Sequence, residues 1–221
     1  MSKLHIDSIT ISFGEKDILK DIYFSCEAGN ISGLLGRNGS GKSTLFQIIF
    51  GTIKGDGDTQ YIKFNDIILK NQSDRKNRIA YLPQHSFLPK NIKIKNLIDL
   101  FCHKENNVKI SQSKFIQPFL NETPNTLSGG ELRIVEVLLI IYSKAEFILL
   151  DEPFHSLSPK TVTEIKTIIK QQTDKGFIIS DHQYHDVLDI SDDIFLLSDG
   201  HLKPIKDLTE LKRFNYLPTT I

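Results

Sequence analysis

Apolar and polar positions alternate along "LHIDSITISF", residues 4–13, the period-two pattern of a strand with one buried face. "ILKDIYFSCEAG" predicts a second strand after a turn at Gly14 to Asp17. "NISGLLG" is a short apolar run, read as a buried strand stopping at glycine. "KSTLFQIIFG" then predicts a helix ended near Gly51. "TQYIKFNDIIL" predicts edge strands, and "RIAYLPQ" a strand stopped by Pro83, which cannot donate to a ladder. From about His85 to Lys144 the pattern is helical, with polar breaks. "EFILLDEP" reads as a buried strand ending in two acids. "SPKTVTEIKTIIKQQTDKG" predicts a helix with Pro159 near its start and Gly176 after its end. "FIISDH" is another apolar strand, and "DIFLLSDGHLKPI" a hairpin turning at Asp199 and Gly200. Strands alternating with helices predict a three-layer α/β core with a mainly parallel sheet. The helical middle becomes an inserted subdomain.

One stretch of that middle, "NTLSGGELRIVEVLLIIYSK", places two glycines directly before an apolar run. Glycine is costly inside a helix, so the pair marks a helix start. Ser128 and Glu131 have the spacing of a capping box, each side chain serving the other's backbone amide. A cap does not need two glycines. A helix start bared of side chains also suits an anion, which the amides and the helix dipole favour.

Composition narrows the field. Lys plus Arg equals Asp plus Glu at 27 each, so the formal net charge is zero, without the basic footprint of a general nucleic-acid binder. Cys26 and Cys102 stand far apart with no metal-type spacing and read as inert thiols. The start "MSKLHIDSIT" has no long apolar region, which argues against a secretory signal. The longest apolar run, "VLLIIY", is far too short to span a bilayer. Any membrane role is therefore expected to run through a partner.

Two motifs carry chemistry. "GRNGSGKST" matches G-x-x-x-x-G-K-[ST] and lies between a predicted strand and a predicted helix. Gly36, Gly39 and Gly41 let the backbone turn its amides toward phosphate oxygens. Lys42 supplies positive charge to the β- and γ-phosphates, Ser43 a hydroxyl to Mg²⁺, and Thr44 a contact to the α-phosphate. In "FILLDEP", Asp151 ends a strand where it can hold Mg²⁺ through water, and Glu152 is placed to polarise an attacking water. Two acids after a strand are by themselves ordinary turn or cap residues; a phosphate loop in the same chain favours the catalytic reading.

With these motifs in the order phosphate loop, "LSGGE", "FILLDE", the chain resembles the ATP-binding cassette (ABC) ATPases over nearly its whole length. The resemblance implies a P-loop NTPase core with a mainly parallel sheet, an N-terminal antiparallel β subdomain and an inserted helical subdomain, with the core about 1–84 and 145–221 and the insert about 85–144. It makes Gly36, Arg37, Asn38, Gly39, Ser40, Gly41, Lys42, Ser43 and Thr44 the Walker A loop, and Asp151 and Glu152 the Walker B acids. Gln84 resembles the Q-loop glutamine that contacts Mg²⁺ and the attacking water, and His182 the switch histidine. Phe13 resembles the aromatic residue that stacks on adenine. Ser128, Gly129 and Gly130 would belong to a second cassette's ATP, since such cassettes pack head to tail with each nucleotide between one Walker A and the partner's signature. One position departs: Ser158 stands where the family's D-loop usually has aspartate, which puts coupling or the hydrolysis rate in doubt.

The function implied is the ATP-hydrolysing subunit of a membrane transporter, using ATP and Mg²⁺, paired with a second cassette in a homodimer. It would sit peripherally on the cytoplasmic face of the cell membrane, bound to a transmembrane permease subunit, with no nucleic-acid partner. "HSFLPKNIKIKNLIDLF" and the helical insert would form the groove that receives the permease. In detail the pattern is similar to cassettes of lipopolysaccharide export and branched-chain amino-acid uptake. A soluble ATPase of iron–sulfur cluster assembly and a weakly hydrolysing regulatory cassette are the alternatives. Repair ATPases split the cassette around a coiled coil and translation-factor cassettes come in pairs, and neither pattern is present.

Overall fold

The two long alternating runs pair antiparallel as β1 (Lys3–Phe13) and β2 (Lys16–Glu27) in a computed structural model that describes residues 1–56, 61–214 and 216. Only Gly14 and Glu15 separate them, a tighter turn than the predicted four residues. Alternation would put either Ile6 or Ile9 on the wrong face. The register shifts between them, with Ser8 in the left-handed region at φ 56°, so both are buried. β4 (Tyr61–Phe64) pairs with β1, and β5 (Ile67–Ile68) with β4, so this four-stranded sheet runs β2-β1-β4-β5. Only β5 of that predicted edge pair is an edge; β4 is interior. Thr59 and Gln60 of the same run lie outside the described residues.

The short apolar runs form the second sheet: β3 (Ile31–Leu35), β6 (Ile79–Leu82), β7 (Phe147–Asp151), β8 (Gly176–Ser180), β9 (Asp193–Ser198) and β10 (His201–Ile205). Its order is β10-β9-β3-β8-β7-β6, parallel except for the β9–β10 hairpin. That hairpin turns at Asp199 and Gly200, both at positive φ, as its sequence predicts.

Each face of the parallel sheet buries a different layer. Leu34, Phe147, Leu149 and Ile178 pack on α1 (Lys42–Phe50) and, beyond it, on the antiparallel sheet. Leu82, Ile148, Leu150, Phe177 and Ile179 pack on α5 (Gly129–Ile141) and α6 (Pro159–Lys170). The same apolar cluster continues into α3 (Ile94–Phe101) and α4 (Lys104–Ser111). Three further short helices fall outside the predicted elements: α2 (Gln72–Arg75), α7 (Tyr184–Ile190) and α8 (Leu208–Arg213). Gly176 does not cap α6, whose C-cap Gln171 is right-handed; it opens β8. Its glycine answers to packing, because a Cβ there would stand 2.6 Å from the Phe147 ring.

The parallel strands deliver their carboxyl ends to one edge of the sheet, where open α/β sheets bind ligands. β3 leads into Gly36, β6 into Pro83 and Gln84, β7 ends on Asp151, and β8 leads into Asp181 and His182. Among the described residues no helix is long and apolar enough to cross a membrane.

Candidate functional site

Between β3 and α1 the chain wraps around its own lysine. Gly39 and Gly41 take φ 76° and 105°, left-handed values that favour glycine, and a Cβ on Gly39 would meet nothing within 4 Å. The loop is therefore open on the side where its backbone is barest. Lys42, only 8% exposed, donates from Nζ to the carbonyls of Gly36 at 2.6 Å and Arg37 at 3.2 Å. Burial pulls its ammonium below the usual lysine range, opposed by the charges of Asp151 and Glu152.

Those two acids end β7 in different settings. Asp151 is buried, with Tyr81 Oη donating to it at 3.3 Å. Burial pushes its carboxyl up, while hydrogen bonds from Ser43 and Tyr81 and the charge of Lys42 pull it down. Ser43 and Asp151 are thus adjacent oxygen donors of the kind a hard divalent cation takes. Glu152 turns the chain with φ 54°, and its amide donates to Ser180 O at 2.6 Å. The turn sends its carboxylate toward the loops after β6 and β8. There Gln84 Nε2 donates to both oxygens, at 3.0 and 3.1 Å, and His182 Nε2 lies 2.6 Å from Oε1.

A cleft of about 400 Å³ gathers Phe13, residues 38–44, Gln84, Glu152 and His182. Phe13 is 58% exposed, a large aromatic face free for stacking. Gly36 and Asp151 lie behind the cleft wall, one holding Lys42 and the other beside Ser43. Arg37 borders a separate hollow against β9 and Tyr216.

Ser128, Gly129 and Gly130 do not line this cleft. They start α5 with the reciprocal cap their spacing predicts: Ser128 Oγ accepts from the Glu131 amide at 3.4 Å, and Glu131 Oε2 from the Ser128 amide at 2.8 Å. Ser158, at the D-loop position, caps α6 by accepting from the Thr161 amide at 3.2 Å.

Several residues around the site carried no motif. Arg133 and Glu136 form a buried pair on α5 next to the acids. Asp181, 4% exposed, accepts from the amides of Phe154 and Gln183, each at 3.0 Å, and burial raises its carboxyl. The available signal was charge set inside apolar runs, most plainly Arg133 and Glu136 three apart in "RIVEVLLIIY". Cys26 and Cys102 are free and buried, their thiols pushed up to about 12 by burial.

Known proteins resemble the chain over nearly its whole length. The family model described as ABC transporter matches residues 19–155. The lipopolysaccharide export system ATP-binding protein LptB of Escherichia coli K12 is 31% identical over 215 residues, 91% of this chain and 89% of that protein. An ABC transporter ATP-binding protein of Methanocaldococcus jannaschii is 28% identical, covering 93% of this chain and 79% of its own length. Among solved structures, an ATP-binding subunit of an ABC transporter superposes with a TM-score of 0.84 at 20% identity, covering 98% of this chain and 95% of that one. A nucleotide-free cassette from an ABC transporter superposes at 0.78 with 23% identity, covering 99% and 96%.

Proposed function

The chain belongs to the ABC transporter family of ATP-binding proteins, and on that premise we propose that two copies close head to tail over ATP, with Glu152 as general base. It is the ATP-hydrolysing subunit of a transporter. The observation that carries the reading is the division of its anion-binding features: one cleft holds the phosphate loop, Gln84, Glu152 and His182, while Ser128–Gly130 start a helix elsewhere.

In the proposed mechanism, adenine stacks on Phe13 and the triphosphate lies along residues 36–44. Lys42 leaves the carbonyls of Gly36 and Arg37 for the β- and γ-phosphates. Mg²⁺ would be held by Ser43, Gln84 and, through water, Asp151, where it would neutralise charge on the phosphate oxygens. Water attacks the γ-phosphorus as the bond to the β–γ bridging oxygen breaks, and Glu152 takes the water's proton. Gln84 and His182 orient Glu152 and the γ-phosphate. The amides and dipole of a second copy's α5 meet the γ-phosphate from the other side. Loss of that phosphate removes the link between copies, and the cycle of closure moves the permease.

The permease would dock in an apolar groove of about 800 Å³ lined by Phe50, Tyr81, Pro83, Phe87, Phe101 and Ile140. A helix of a transmembrane partner is the occupant we propose, because Pro83 and Phe87 flank Gln84 and the groove thereby adjoins the base. The segment 85–144 contributes Phe87, Phe101 and Ile140 to that groove and the core contributes Phe50, Tyr81 and Pro83, and the protein would sit on the membrane through that partner alone.

Glu152→Gln tests the reading. The variant should bind ATP as wild type does, lose about a hundredfold or more of its turnover, and accumulate an ATP-dependent dimer in light scattering. Wild-type turnover in that variant removes Glu152 from the role of base.

A further inference from the structure

Arg133 is 6% exposed within the apolar run of α5 and has no part in the mechanism above. Its guanidinium joins three segments. Nη1 donates to the carbonyl of Pro83 at 2.9 Å, the residue before Gln84, and lies 3.3 Å from Glu136 Oε2. Nη2 donates to the carbonyls of Asp151 at 2.6 Å and Glu152 at 3.0 Å. Glu136, 2% exposed, also accepts from the Phe87 amide at 3.3 Å.

Stability alone does not call for this pair, because apolar side chains of similar volume usually serve a core at least as well as a buried ion pair. What they cannot do is hold two loops by a rigid fork of donors. Glu152 needs such holding. A non-glycine residue in the left-handed region is strained and persists where its surroundings over-determine it. Ser180 takes its amide on one side and Arg133 its carbonyl on the other. The Gln84 loop is fixed by the same guanidinium, so the two groups that meet at 3.0 Å are set from one point.

We propose that Arg133 is a positioning residue for ATP hydrolysis: from α5 it fixes the backbones of Glu152 and Pro83, so that the carboxylate and the Gln84 amide meet correctly over the attacking water. This rests on Glu152 as the base. Gly129 precedes Arg133 by four residues, one helical turn on the same face. The helix offered to a neighbour's nucleotide thus also carries the clamp on this chain's own base.

Arg133→Lys tests it in the full-length protein. Lysine keeps a positive charge beside Glu136, but one ammonium cannot reproduce the fork. The expected result is a melting temperature near wild type, a KM for ATP within about twofold, and a kcat lower by about tenfold or more. Combined with Glu152→Gln, the loss should stay near that of Glu152→Gln alone and not reach the product, since Arg133 acts through that carboxylate. If the lysine variant does not fold, Arg133→Met with Glu136→Gln removes both charges and should show the same fall in kcat. A kcat within about twofold of wild type in the folded variant, or losses that multiply, overturns the proposal. Glu152→Gln measured alongside separates the two failures. If it turns over normally, the base assignment falls and this inference with it; if it is inactive while Arg133→Lys is fast, only this inference falls.

Discussion

Gly130 packs beneath the carbonyl of Ser156: a Cβ on the glycine would stand 3.1 Å from that oxygen, whereas a Cβ on Gly129 would meet nothing within 4 Å. The two adjacent glycines therefore have separate reasons. Gly130 lets α5 approach the loop after β7 within its own chain. Gly129 keeps open a surface that this chain does not fill.

The difference can be measured. Gly130→Ala pushes into backbone and should destabilise the nucleotide-free protein by about 1 kcal/mol. Gly129→Ala has room and should leave the melting temperature unchanged or raise it slightly, since alanine suits a helix better. Yet Gly129→Ala should slow ATP turnover by about tenfold or more by obstructing a neighbour's phosphate. Wild-type turnover there would mean that no nucleotide approaches this surface.

Asp151 gives a pH-dependent prediction. Burial raises its carboxyl above the ordinary 3.8 in the folded chain. Below 3.8 the folded and unfolded chains are both protonated at this position, and its contribution to stability is fully present. As pH rises through the folded value that contribution is lost, because the folded chain must now bury a charge. Asp151→Asn, still able to accept from Tyr81, should therefore melt higher than wild type near about pH 7 without nucleotide, with the gap closing toward about pH 4. The same variant should lose ATP hydrolysis. A gap that stays constant across that range would show that burial of this charge is not what the variant relieves.

Most of the candidate site was legible because its parts lie at the ends of recognisable strands. The phosphate loop, the acids, Gln84 and His182 each follow an apolar run, and parallel pairing brings those ends together. Local signals also read correctly at Ser128 and Glu131, where capping is a matter of four residues. Signals that depend on distant contacts did not. Gly176 resembles a helix cap in sequence, but Phe147 is what forbids it a side chain. α7 is only seven residues long, and tertiary contacts hold it: Lys166 of α6 reaches Asp186 at 2.6 Å and Asp189 at 3.0 Å. Arg133 reads as one polar position on a helix until Pro83, Asp151 and Glu152 are seen around it.

His182 approaches the same Glu152 oxygen that Gln84 bonds, with Nε2 at 2.6 Å, and its side chain is 45% exposed to the cleft. His182→Ala should leave the fold intact and reduce kcat by about a hundredfold, with ATP affinity little changed. Stopped-flow binding of a fluorescent ATP analogue, read beside steady-state hydrolysis, separates the two effects. A loss of binding equal to the loss of turnover would make His182 a binding residue and not an orienting one.

Ser158 settles whether the departure at the D-loop position matters, because its structural duty can be kept while its charge is changed. It caps α6 through the Thr161 amide, ahead of Pro159 at the first turn. Aspartate is as good an N-cap as serine, so Ser158→Asp should shift stability by no more than about 0.5 kcal/mol. The side chain is exposed on the loop that Gly130 packs against, next to the surface a second copy would meet. If a carboxylate there couples two nucleotide sites, Ser158→Asp should raise turnover and steepen its dependence on ATP concentration. Unchanged turnover in a normally folded variant would show that serine at this position serves the helix alone.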